Sequence, residues 1–253
     1  NPSQCNAVTF SGSGDVDING GNVFSNSLAN GNPTSCHSGI VNGSGGEIDI
    51  SGGGIVTAGT FRNESGGEIN AEDGVIQGAD QQDLPQIPIP SCAGLPNRSY
   101  NGGVATLLPG IYNGGIRLNN GGDQITMSPG MYCLGDDFTA NGGSVTGTEV
   151  FIYQQAGELD LGGNTTVDLT RTSDLVDADG NQWAGMLYYM DPNNTSLVNI
   201  SGNSGSSYTG TFLAAGLASP SSQPKCSISG TGDNLGLNSQ VICNTVEITG
   251  DAI

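Results

Sequence analysis

Between Asn101 and Tyr153 one phrase is written three times, as NGGVATLLPGIY, NGGDQITMSPGMY and NGGSVTGTEVFIY. Pro109-Gly110-Ile111-Tyr112 returns as Pro129-Gly130-Met131-Tyr132, and the third copy replaces the turn but keeps an apolar run ending at Ile152-Tyr153. The Asn-Gly-Gly openings at Asn101, Asn120 and Asn141 keep step. A period of about 20 residues, made of short β-type runs between Gly, Asn and Pro turns, is too short for a propeller blade and lacks helical spacing. The pattern predicts an all-β chain folded as a right-handed parallel β-helix with coils of about 20 residues.

A looser form of the repeat occupies residues 1–80, where SGSGDVDIN (11–19), GSGGEIDIS (43–51) and ESGGEINAE (64–72) share one pattern. Stacking these copies superposes Val16, Ile48 and Ile69 inside. It leaves Asp15, Glu47 and Glu68 in one outward column and Asp17, Asp49 and Asn70 in the next. Like charges on neighbouring strands repel, and neither column holds a Lys or Arg, so Asp15, Glu47 and Glu68 are candidate ligands for a cation such as Ca²⁺. After these repeats, LPQIPIP (84–90) cannot be a central strand because Pro88 and Pro90 lack ladder donors. It is expected to run as a strap along the stack, pinned by Cys92. The organisation expected is one domain over 1–253: coils in 1–80, a Pro-rich strap at 84–92 and the main coils in 100–253. Short helix is expected only in pieces such as Leu213 to Leu217, and ten to twelve coils would give a rod of about 50 Å.

Composition matters where it limits function. With 43 Gly, 35% hydrophobic and 11% charged residues the chain would suggest disorder if its apolar residues were scattered. They alternate instead with polar ones, as in Val16/Ile18, Ile48/Ile50, Leu159/Leu161 and Val246/Ile248, the mark of strands with one buried face. A net charge of -19 argues against nucleic acid and against an anionic membrane surface as partners. One Lys (Lys225) and one His (His37) remove most of the usual catalytic vocabulary. Six cysteines without a CxxC or a Cys/His cluster suit disulfides and export. Order along a stack favours pairing neighbours: Cys5 with Cys36, Cys92 with Cys133 and Cys226 with Cys243. No signal peptide or membrane span is visible in this segment, so no direct membrane insertion by it is expected.

The pieces PIPSC (88–92), LLPGIYNGG (107–115), MSPGMYCLG (127–135), TGTEVFIY (146–153), AGMLYYMD (184–191), SGNSGSSYTGTFLAA (201–215) and CNTVEITGD (243–251) follow one another in an order that resembles the extracellular part of bacterial TadG-like proteins, which are associated with Tad (tight adherence, Flp) pili. The resemblance spans almost the whole chain, and its motifs are structural. It implies an envelope-exposed β-helical module serving a pilus or adhesion, with no catalytic residues to carry over. Members usually begin with a membrane-anchoring helix that these 253 residues do not include. Many also carry a cysteine in the first PG-x-Y repeat, where this chain has Asn113; here it is Cys133 in the second.

Carbohydrate-active β-helices gather carboxylates with basic residues on one exposed sheet, and the best match here is Asp136-Asp137 with Arg117 one coil below. A turn of solvated aspartates is the simpler reading, so no catalytic residue is assigned. Asp177-Ala-Asp179-Gly180-Asn181 has oxygen donors at alternate positions around a Gly turn, which makes Asp177, Asp179 and Asn181 candidate calcium ligands, although a full EF-hand would need an acid at Leu175 and a later Glu. Trp183 in the same excursion is expected to pack the loop onto the rod rather than stack on a sugar. An ice-binding array would need Thr-x-Thr on successive coils, and Thr146/Thr148 and Thr209/Thr211 are not one coil apart. The expectation is a non-enzymatic extracellular structural or adhesion module, pilus-associated or displayed on a cell surface, whose partners are pilus or envelope proteins, glycans, or copies of itself joined end to end. The alternative is a carbohydrate-binding or carbohydrate-active β-helix of lyase or hydrolase type. No cofactor other than Ca²⁺ is implied.

Overall fold

Each alternating run named above is a β-strand in the computed structural model. The structure describes residues 4–12, 14–30, 36, 39–42, 46–64, 66–83, 86–203, 205–216, 225–231 and 235–250; His37 lies outside them. The amino-terminal repeats give β1 (Val8–Ser11), β2 (Val16–Asn19), β3 (Val23–Ser25), β4 (Ile40–Asn42), β5 (Ile48–Ser51), β6 (Ile55–Thr57), β7 (Phe61–Asn63), β8 (Ile69–Ala71) and β9 (Val75–Gln77). The central phrases give β10 (Val104–Leu107), β11 (Gly110–Tyr112), β12 (Ile116–Leu118), β13 (Gln124–Met127), β14 (Gly130–Leu134), β15 (Phe138–Ala140), β16 (Ser144–Gln154) and β17 (Leu159–Leu161). Then follow β18 (Thr166–Arg171), β19 (Met186–Met190), β20 (Val198–Asn203), β21 (Ser207–Ala214), β22 (Lys225–Thr231), β23 (Gly236–Cys243) and β24 (Thr245–Gly250). The described residues contain no helix. Leu213 and Ala214, expected in a short helical piece, end β21 instead, because Phe212, Leu213 and Ala214 are drawn into its ladder with β23; Leu217 lies outside the described residues.

The chain is all-β with parallel sheets, each strand pairing with its counterpart one repeat away. One nine-stranded sheet runs β12-β15-β17-β20-β22-β24-β1-β4-β7. A second contains β10-β13-β16-β18-β21-β19 with β11, β14 and β23 attached, and two three-stranded sheets run β2-β5-β8 and β3-β6-β9. The amino-terminal register is the expected one, with Val16 opposite Ile48 and Ile48 opposite Ile69. In the central repeats β10 and β13 keep the motif alignment, Leu107 opposite Met127. Gly110, however, lies opposite Tyr132, two residues out of it. A slip of two preserves which side chains face inward, so Tyr112 and Tyr132 both remain inside, stacked at 5.9 Å. The longest sheet holds nine strands among the described residues, and residues 172–185 and 191–197 lie in excursions between strands.

Two repeat motifs have local causes. The Tyr112 hydroxyl donates to the Leu108 carbonyl (2.8 Å), and the Tyr132 hydroxyl sits between the carbonyls of Ser128 (2.7 Å) and Leu107 (2.8 Å). Each tyrosine of the PG-x-Y phrase therefore reaches the part-buried carbonyl four residues back, just before the proline turn. In the Asn-Gly-Gly corner, Gly143 has φ +78° and any Cβ there would run into the Asp123 carbonyl of the previous rung, so the corner tolerates only glycine.

Stack order differs from chain order. The last strand, β24, pairs with the first, Val246 opposite Val8 and Ile248 opposite Phe10, so the amino-terminal repeats continue the sheet from its carboxyl-terminal end. The strap then carries the chain back along the outside: Ile87, Cys92 and Leu95 pack on an outer cluster built from Met131, Phe151, Tyr153, Trp183 and Tyr189. At the far end the chain re-enters beside β11, where Arg98 N–H donates to the Ile111 carbonyl at 2.8 Å and Ile111 N–H to the Pro96 carbonyl at 2.9 Å. The three disulfides are Cys5–Cys36, Cys92–Cys133 and Cys226–Cys243, with Cα separations of 4.9, 6.2 and 6.1 Å, as expected from stack order.

Candidate functional site

Asp177 is the hub of the excursion between β18 and β19. Its Oδ1 accepts from the N–H groups of Asp179 (2.9 Å) and Asn181 (3.0 Å). Its Oδ2 accepts from Ser91 N–H (3.0 Å), Asn181 Nδ2 (3.1 Å) and Trp183 Nε1 (3.0 Å). Burial pushes this carboxyl up, but the donors from Ser91, Trp183 and Asn181 outweigh it and hold the group at about 2. Calcium needs converging oxygens, whereas Asp179 and Asn181 meet Asp177 here through nitrogen. The arrangement ties the strap at Ser91 to the loop. Trp183 is 2% exposed, stacked on Phe151 at 5.0 Å and edge-on to Tyr189 at 5.7 Å, so it packs the loop down as expected.

The acidic ladder stands where the repeats put it. Asp17 lies opposite Asp49, and Asp49 opposite Asn70. In the neighbouring column Glu47 N–H donates to Asp15 Oδ1 at 3.0 Å, and Ile48 N–H to the Glu68 carbonyl at 3.0 Å. Asn70 Nδ2 reaches across to Glu47 Oε1 at 2.8 Å and links the two columns. Asp49 first, then Glu68 and Asp15, push the Glu47 carboxyl above its ordinary range, and Asn70 only partly offsets them. Among the described residues no three or more His, Cys, Asp or Glu converge as a metal-holding group; the carboxylates are strung along the sheet.

At the corner between β14 and β15, Arg117 Nη2 lies 3.1 Å from Asp136 Oδ2 and 2.9 Å from Asp137 Oδ2. Asp137 Oδ1 accepts from Glu158 N–H at 3.1 Å on the next rung. The pair foreseen one coil apart is thus assembled, with both carboxylates sharing one guanidinium on a solvated edge. Thr106, Thr126 and Thr146 form a single file across successive rungs, not the double file an ice-binding array needs.

Three features escaped the sequence. Asp123, buried under the Asn-Gly-Gly corner, accepts from Gly103 N–H (2.9 Å), Asn119 N–H (2.9 Å) and Asn120 N–H (3.1 Å), and the Gly103 bond above all holds its carboxyl below the usual range. Its position directly after Asn-Gly-Gly was the signal for such a turn. Tyr153 donates to Asp191 Oδ2 at 2.5 Å, a contact across 38 residues with no local signature. The third is a cleft of about 600 Å³ between β23 on one side and β2 and β3 on the other.

The chain matches no protein-family model, and neither the curated proteins nor the solved structures give a significant match.

Proposed function

We propose that the parallel sheets wrap into a right-handed β-helix serving as a non-enzymatic, disulfide-stapled extracellular module, displayed at a bacterial surface in association with a pilus or adhesion apparatus, as the TadG-like resemblance implies. One observation carries the reading: among the described residues the outermost strands have an edge without a strand partner and expose apolar side chains. At one end β9 presents Val75 and Ile76, the latter 52% exposed; at the other, β10 presents Val104, 76% exposed. Open edges of this kind are templates for adding another chain, so the ends join copy to copy or to a pilus component. Three disulfides fit an oxidising compartment, and no helix among the described residues is long and apolar enough to cross a membrane. Asp136 and Asp137 share the single Arg117 guanidinium on a solvated corner, an arrangement that supports a structural role.

The test follows association against concentration by light scattering, with electron micrographs of the same samples. Wild type should grow end to end, and Ile76→Lys or Val104→Lys should return it to monomers. Wild type that stays monomeric at high concentration would remove the end-to-end reading. A glycan panel assayed in parallel should show no turnover; turnover abolished by Asp136→Asn or Asp137→Asn would make the protein a carbohydrate-active enzyme instead.

A further inference from the structure

In each repeat a strand of the nine-stranded sheet is followed by two strands on other faces, and the second of these carries an apolar column. β14 holds that place after β12 and β13, and β3 holds it after β1 and β2. In the central repeats the column is Ile111, Cys133, Tyr153, Tyr189 and Leu213, each opposite the next. In the amino-terminal repeats Phe24 lies opposite Val56, and Val56 opposite Ile76. Both columns point outward, because the residues alternating with them fill the inside: Tyr132 and Leu134 beside Cys133, Ile55 and Thr57 beside Val56.

The two columns differ in what covers them. Cys133, Tyr153 and Tyr189 belong to the outer cluster under Ile87, Cys92, Leu95 and the Trp183 loop, and none is more than 3% exposed. Phe24 is 39% and Ile76 52% exposed. The strap does pass the amino-terminal column. Gln82 N–H donates to Asn26 Oδ1 at 2.8 Å, Asn26 Nδ2 to the Gln82 carbonyl at 2.6 Å, and Gln81 Nε2 to the Asn26 carbonyl at 2.9 Å, two residues beyond Phe24. There it reads Ala79-Asp80-Gln81-Gln82-Asp83, and among the described residues it joins the outer cluster only from Ile87 onward.

We infer that Phe24, Val56 and Ile76 form a docking surface for an extended apolar segment of a partner protein with lysine or arginine at its flanks. The segment lies along the face as the strap does further on. Rungs are about 4.8 Å apart, so the column is about 10 Å long, and an extended chain places side chains on one side every ~7 Å. Two apolar residues at alternate positions therefore cover it, the spacing of Ile87 and Ile89 in the strap. Charge defines the flanks. Residues 64–83, which supply β8, β9 and the start of the strap, contain six Asp or Glu and no Lys or Arg, so a basic segment is favoured over an acidic one. The same charge disfavours a second copy, whose matching face would bring like carboxylates together. The kinship of the two columns rests on the wrapped arrangement proposed above, whereas the exposure of Phe24 and Ile76 does not. An NMR contact between Phe10 and Ile248 reports that arrangement separately, so the two can fail independently.

The test uses the whole chain and a peptide copying Gln86–Pro90 with two lysines at each end, beside a version with two glutamates at each end. At low salt the lysine peptide should shift the side-chain NMR signals of Phe24, Val56 and Ile76 saturably and leave Leu107 and Val145 unmoved. The glutamate peptide should bind about tenfold weaker or worse, and the difference should shrink as salt rises. Phe24→Lys, two rungs in from the free edge of β9, should weaken binding about tenfold or more and leave end-to-end association as in wild type. Ile76→Ser should weaken it from the other end of the column. Four results would overturn the inference: no saturable shift at the column, equal binding of the two peptides, shifts confined to Tyr153 and Trp183 beneath the strap, or a dimer of the chain alone that Phe24→Lys abolishes.

Discussion

Tyr132 shows how little of the repeat is decoration. Its hydroxyl sits between two carbonyls and its ring against Tyr112, so Tyr132→Phe keeps the packing but removes a hydroxyl hydrogen bond made in the interior. The expected loss is about 1–3 kcal/mol in denaturant unfolding, against several times less for Tyr100→Phe, whose hydroxyl bonds Gly103 at an exposed position. Asp177 acts through ionisation. Its carboxyl is held at about 2 in the fold, below the ordinary value of about 3.9. Its stabilisation is therefore complete above pH ~4 and fades as pH falls toward 2. Asp177→Asn should cost about 1–2 kcal/mol at pH 6, after allowing for solvent screening, and progressively less on acidification. A gap that does not close in melts from pH 6 to 2 would separate the loop's stability from this charge. Glu47 has the opposite sign. Its raised carboxyl favours the fold below its ordinary range near pH ~4.3 and loses that contribution as pH rises through the folded value. Glu47→Gln should thus raise the melting temperature at pH 7 and leave it nearly unchanged at pH 3. Adding millimolar Ca²⁺ at constant ionic strength tests whether the ladder recruits ions: a rise in wild type that Glu47→Gln with Glu68→Gln removes would assign Ca²⁺ there.

Among the elements, the strap was the easiest to place and the hardest to dock. Pro88, Pro90 and Cys92 announce an extended segment pinned at one point, and Cys92–Cys133 is that pin. Where it lies was encoded differently. The runs MYCL, VFIY and MLYYM break strict alternation, and such continuous apolar runs mean strands buried on both faces. Met131, Phe151, Tyr153 and Tyr189 are the side chains that look outward and become the strap's seat. The sequence signalled that something covers this face; naming the cover as Ile87, Leu95 and the Trp183 loop required the fold, because those residues are far apart in the chain. Removing the Trp183 ring by Trp183→Ala should cost about 3–5 kcal/mol. Limited proteolysis should then cut first at residues 86–91, while Cys92→Ser with Cys133→Ser costs about 2–4 kcal/mol by releasing the pin. First cleavage elsewhere would show that the strap is held by something other than this seat.

At the scale of the molecule, repeat spacing and alternation made the all-β, parallel character and the amino-terminal register legible. The order of the rungs was not. A repeat specifies what its neighbours look like, not which neighbour it takes, and the edges of β24 and β1 are chemically interchangeable with others of the same pattern. Joining them converts two sets of repeats into one sheet and moves the amino-terminal coils onto the carboxyl-terminal end. That junction also leaves the acidic ladder near one end of the stack and the Arg117 corner near the other. The most direct test is therefore the junction itself. In perdeuterated protein, amide–amide and methyl contacts measured by NMR should connect Val8 with Val246 and Phe10 with Ile248, and rotational diffusion should fit a single elongated body. Contacts confined within residues 4–83 and within residues 86–250, with two separate tumbling times, would contradict a continuous stack.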